Sequence, residues 1–145
     1  MVERVKSIRF IAALVIAALI FSVAIPCFGA GNVKKGKRNY DQFCTPCHGK
    51  EGKGDGTRVM VEKFDPLPRN HTDGIIMNQR TDVQLFKTVK EGGKSMNFSH
   101  IMPQWKHILG DQDIWNIVAY VRSIAVNPAW TGTPIPPPPQ SENKK

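Results

Sequence analysis

The chain has 145 residues, 41% of them hydrophobic, with 20 Lys+Arg against 12 Asp+Glu and a formal charge of +8. That length supplies one domain, and that composition excludes a disordered chain. The basic residues are scattered and accompany no nucleic-acid motif or aromatic–basic platform, which argues against nucleic acid as a partner.

Residues 1–9 carry Arg4, Lys6 and Arg9, and a continuous apolar run follows from Phe10 to Ile25, ended by Pro26. A basic start before such a run reads as a secretory signal. Cleavage sites with small residues occur after Ala24 and after Ala30, although Phe28 disfavours the second. The same run, left uncleaved, would be a slightly short membrane anchor. Either way the folded part is expected outside the cytoplasm, periplasmic in a bacterium. Cys27 lacks the small residues that precede a lipidated cysteine and belongs with this segment. The remainder from residue 31 holds 17 basic and 11 acidic residues, a charge of +6, which favours acidic partners. A core of roughly a hundred residues is marginal alone, and a large apolar cofactor would help to complete it.

The first predicted helix runs from about Val33 to Cys47. Gly36, Tyr40 and Cys44 share one stripe, with Phe43 and Cys47 beside it. It ends in Cys44-Thr45-Pro46-Cys47-His48, the C-x-x-C-H signature of covalent haem attachment. Cysteines three apart on a helix lie on one face about a turn apart. Each sulfur can then add to one haem vinyl group, and the adjacent histidine falls beneath the iron. A thioredoxin-like disulfide would leave His48 without a role, and no βαβ pattern surrounds it. A structural zinc site wants four ligands, and no second cysteine pair exists.

Residues 49–80, rich in Gly and Pro, are expected to be loops around the cofactor, with a short helical turn near Val59–Lys63. Thr81 opens a helix of about ten residues through the capping box Thr81-x-x-Gln84. Val83, Phe86 and Val89 or Lys90 form its expected apolar side, and Gly92-Gly93 stops it. The last helix begins near Asp111, with Ile114, Ile117, Val118, Val121, Ile124 and Ala125 at helical spacing. It ends before Asn127-Pro128. The expected organisation is a signal or anchor over 1–30, a domain over 31–127, and a Pro-rich extended tail over 128–145.

Gly36-x-x-x-Tyr40-x-x-x-Cys44-x-x-Cys47-His48-Gly49, then Gly52-x-Gly54-Asp55-Gly56, then Met102-Pro103-x-Trp105 and Ile114-Trp115-Asn116-Ile117-Val118-Ala119-Tyr120-Val121-Arg122, resemble the bacterial class I cytochromes c. The resemblance covers residues 32–126. It implies an all-α cytochrome c fold, with three main helices and loops wrapped around one haem c, and a first helix crossed closely by the last at Gly36.

It also implies an axial methionine opposite His48, and Met102 stands in the matching Met-Pro position. Met96, His100 and His107 are the rival ligands; His71, His100 and His107 otherwise read as solvated loop residues. A thioether opposite histidine raises the potential relative to a second histidine. The resemblance suggests that Trp105 borders a haem propionate, and Arg80 is a candidate to neutralise one. It further implies a proline carbonyl, of Pro66 or Pro68, that receives the free N–H of His48. The expected function is single-electron transfer between redox proteins, not enzyme turnover. Lys34, Lys35, Lys37, Lys87, Lys90, Lys94 and Lys106 are candidates for a docking surface toward acidic partners. A permanent subunit of a membrane dehydrogenase or reductase complex is the alternative. A peroxidase-type enzyme would need an open sixth position.

Overall fold

Asn32 caps the first helix, α1 (Val33–Phe43), by accepting from Lys35 N at 2.9 Å. This computed structural model describes residues 31–132. Four further α-helices follow in chain order: α2 (Thr45–His48), α3 (Gly74–Met77), α4 (Asp82–Glu91) and α5 (Asp111–Ile124). Short 3-10 turns occupy Thr57–Met60, Gly93–Met96 and Trp105–His107. No strand occurs among the described residues, and Asp73 and Val126 share one isolated parallel bridge. The chain is all-α, as expected, and no described helix is long and apolar enough to cross a membrane. The expected signal or anchor, including Cys27, lies outside the described residues.

The helix expected over Val33–Cys47 is two helices. Pro46 has no N–H to donate to the carbonyl four residues back, and its ring crowds that carbonyl. The chain therefore breaks at Cys44, which closes α1 by donating to Tyr40 O at 2.8 Å. Proline is tolerated in the first turn of the new helix.

α1 and α5 cross at Gly36. A Cβ there would sit 1.8 Å from the carbonyl oxygen of Asn116, so only glycine permits the approach. Asn32 N donates to Asn116 Oδ1 at 2.8 Å, and the Tyr40 and Tyr120 rings meet edge-on at 5.0 Å. Ile114, Ile117, Val118, Val121 and Ala125 form the buried stripe of α5, with Ile124 packed against it.

The capping box of α4 forms in both directions, Gln84 N to Thr81 Oγ1 and Thr81 N to Gln84 Oε1. Phe86 and Val89 pack against the core as expected, but Val83 does not. Val83 is 65% exposed, and Leu85 is buried instead, beside Phe86 and Val89. Leu85, Phe86 and Val89 share the inward face, and Val83 lies a step around the helix from it. Asp82 sits on the same side, where Arg122, buried in the apolar stripe of α5, donates to its Oδ1 at 2.7 Å. Arg122 also donates to the carbonyls of Met77 and Arg80, and its guanidinium lies 3.6 Å from the Trp130 ring centroid. Burial lowers the Arg122 pKa, while Asp82 opposes that shift.

Asn78 Nδ2 donates to Pro128 O at 2.8 Å, and Trp130 covers Arg122. Pro128 thus packs on the 74–80 segment and Trp130 on α5, and residues 133–145 of the expected Pro-rich tail lie outside the described residues. The helical turn expected near Val59–Lys63 falls at Thr57–Met60, and α3 had no counterpart among the expectations.

Gly36→Ala should destabilise the protein by roughly 1–3 kcal/mol, because the two backbones must separate to admit a methyl group. Denaturant titration of the haem-loaded protein reads this directly. A loss below a few tenths of a kcal/mol would mean that the crossing is not tight.

Candidate functional site

An apolar cavity, open on one side, lies between α2, the 64–71 loop, α3, α4, the 98–105 loop and α5. Cys44, Cys47, His48, Met102 and Trp105 all contribute to its wall, as does Arg80. These six therefore reach one space, although they are spread over 62 positions of chain. The remaining wall is largely apolar, with Phe43, Phe64, Leu67, Ile76, Met77, Leu85, Val89, Phe98, Ile117 and Val121. Such a wall suits a large flat apolar group better than water.

α2 places the two thiols. Both are free, so no disulfide joins them. Burial, helped by Cys47, pushes the Cys44 thiol up to about 12, and burial raises Cys47 against the opposing pull of Arg58. Thiol–disulfide exchange needs a thiol whose pKa is lowered, so this site is the reverse of a thioredoxin-like one. Among the described residues no group of three His, Cys, Asp or Glu side chains converges to hold a metal ion.

His48 is gripped from two sides. Its Nδ1 lies 3.2 Å from the Arg69 carbonyl. A carbonyl only accepts, so Nδ1 carries the proton and Nε2 keeps its lone pair for a metal. The acceptor is Arg69, not Pro66 or Pro68. Pro68 is the residue before it, and the turn of the loop presents the next carbonyl. Burial lowers the His48 pKa, and the Arg69 bond opposes that shift. On its face His48 stacks against His71, with ring centroids 4.1 Å apart and planes 21° apart. His71 is thus no solvated loop histidine. Its Nδ1 lies 2.9 Å from Tyr40 Oη, and burial, then His48, lowers its pKa well below the usual value. Nothing in the local sequence marks it.

Met102 is set by the end of α4. Gly93 N donates to Met102 O at 3.1 Å, and a Cβ on Gly93 would lie 2.2 Å from Ser99 O. The two glycines that stop α4 thus also seat the loop that carries Met102. The rivals fare differently: Met96, His100 and His107 do not line the cavity, and His100 and His107 are exposed.

Trp105 packs its ring against Phe43 at 5.4 Å. Arg80 lies over Phe98 at 4.7 Å, and Arg69 lies over the same ring at 5.6 Å. Burial and the neighbouring Arg69 lower the Arg80 pKa. Neither arginine has a carboxylate partner among the described residues. Two cations at an apolar cavity with no anion of their own fit a cofactor that brings two carboxylates.

The family model for cytochrome c matches residues 33–125. The chain belongs to the cytochrome c family. Its cofactor is therefore covalently attached haem c. Among solved structures, a chain of the Kuenenia stuttgartiensis reducing HAO-like protein complex Kustc0457/Kustc0458 is 28% identical, with a TM-score of 0.52 over 65% of this cytochrome and 43% of that chain. This cytochrome thus spans less than half the length of that relative. The KustC0563 c-type cytochrome is 22% identical, with a TM-score of 0.49 over 62% of this chain and 96% of that one. No curated protein matches.

The cation pair gives a prediction. A positive charge near the iron disfavours its more positive, oxidised state. Arg69→Gln or Arg80→Gln should lower the midpoint potential, and the matching Lys variants should restore most of it. Spectroelectrochemical titration checks this; unchanged potentials in both Gln variants would show that the pair faces no redox centre.

Proposed function

We propose that this chain is an exported monohaem cytochrome that carries single electrons between redox proteins, with Cys44 and Cys47 as the haem thioethers and His48 and Met102 as the axial ligands. The observation that carries the proposal is the convergence of these four side chains on one apolar cavity, with His48 Nδ1 already committed to Arg69. His48 Nε2 then supplies one axial ligand, and Met102 Sδ the other. The haem supplies a one-electron iron couple, and the protein sets its potential and access.

A haem held by both His48 and Met102 would offer no free iron position to a substrate. The apolar wall would exclude water from it. Arg69 and Arg80 would neutralise its propionates, and Trp105 would border them. Lys37, Lys90 and Lys106 pair with Asp41, Asp111 and Glu91. Lys34, Lys35, Lys87 and Lys94 therefore contribute most to attracting an acidic partner. Residues 1–30 direct the chain out of the cytoplasm, into the periplasm of a bacterial cell.

One observation favours a second reading, that of a haem subunit held permanently in a larger complex. The 28% identical relative is a component of a protein complex. Intact mass of the exported protein separates the two: cleavage of residues 1–30 fits a free carrier, and retention fits an anchored subunit.

Cys44→Ala with Cys47→Ala should abolish the covalent haem, read as loss of the haem mass and of the c-type spectrum. The reduced wild type should not bind carbon monoxide, whereas Met102→Ala should bind it rapidly and lose the methionine-to-iron charge-transfer band. Rapid carbon monoxide binding by the wild type would overturn the closed-carrier reading in favour of a peroxidase-type haem enzyme.

A further inference from the structure

His71 has no part in the proposed ligand set, yet it is among the most constrained side chains around the cavity. Its backbone N donates to Gly52 O at 2.6 Å, its Nδ1 lies 2.9 Å from Tyr40 Oη, and its ring covers the His48 ring at 4.1 Å. Tyr40 is itself fully buried on α1, and its ring meets that of His71 at 5.7 Å, edge to face. His71 is its side-chain hydrogen-bond partner. A buried phenol needs a partner, so the pair is held from both ends.

His48 needs this second hold. A single bond to Arg69 O at 3.2 Å fixes one edge of the imidazole. Hydrogen bonds tolerate tens of degrees of bending, so that bond alone leaves the ring free to tilt about the N–H···O line. The His71 ring, nearly parallel to that of His48, closes this freedom. Arg69 and His71 are two residues apart, so one short segment grips the imidazole by edge and by face.

We infer that His71, packed between Tyr40 and His48, is a positioning residue whose stacked ring sets the plane of the His48 imidazole over the haem. The inference rests on the reading of His48 as the proximal ligand. In the oxidised protein the orientation of that plane governs how unpaired spin spreads over the haem. The hyperfine-shifted haem methyl resonances in the proton NMR spectrum report it, and a purely structural role for His71 would leave them in place.

The test compares oxidised, haem-loaded wild type with H71A and with the double variant Y40F/H71F, which keeps a stacked ring and leaves no unpaired hydroxyl. H71A should narrow the spread of the methyl shifts, and Y40F/H71F should restore the wild-type pattern. If H71A fails to retain haem, the double variant decides by itself: a wild-type pattern supports the inference, and an altered one overturns it. A wild-type pattern in haem-loaded H71A would also overturn it, as would a double variant as altered as H71A. Absence of covalent haem from the wild type would overturn the ligand reading itself, and is seen by mass before any variant is compared.

Discussion

The contact between α1 and α5 at Gly36 sets the position of everything that follows. With no side chain in the way, the helix backbones approach until a Cβ would lie 1.8 Å from Asn116 O. That closeness brings Tyr40, one turn further along α1, into full burial against Tyr120. It also puts Ile117 and Val121 of α5 into the wall of the cavity. The stripe that makes the crossing continues to Cys44, so the same register fixes the first attachment point. A shift of α1 along α5 would move the core, the Tyr40–His71 pair and the thiols together.

A polar frame surrounds this apolar centre. Arg122 links α5 to Asp82 and to the carbonyls of Met77 and Arg80, so the segment that carries Arg80 is fixed from behind. Asn78 then ties the same segment to Pro128, and Trp130 covers the guanidinium. A buried arginine is tolerable only when its donors are matched, and here a carboxylate and two carbonyls match them. On the other side Gly93 holds Met102 by its carbonyl. Arg80 and Met102 are thus each held through their own carbonyl, by Arg122 and by Gly93. The haem of this family completes the core of a small domain whose own apolar residues line a space instead of filling it.

Much of the site was legible in the sequence because its signals are local. The haem attachment motif places two thiols and a histidine within five residues, and the Thr81–Gln84 box and the α5 stripe are read within one or two turns. Arg122 carried a weak signal that was available: a charge in the middle of an apolar stripe asks for a buried partner. His71 and the Arg69 carbonyl carried none. One is a histidine in a loop, and the other is a backbone group that every residue possesses. Val83 misled because its spacing from Phe86 fits a helical face; Leu85 takes its place beside Phe86 and Val89 against the core.

By itself, then, the sequence determined the all-helical class, the attachment motif, the Met-Pro element and the places where α1, α4 and α5 begin. These follow from propensity, capping and spacing, which act over a few residues. Only the tertiary structure decided which carbonyl holds His48, which ring stacks on it, which face of α4 is buried, and that residues 128–130 pack onto the domain. Those choices depend on groups brought together from 20 to 50 residues apart. Their order along the chain carries no trace of the distance at which they finally meet.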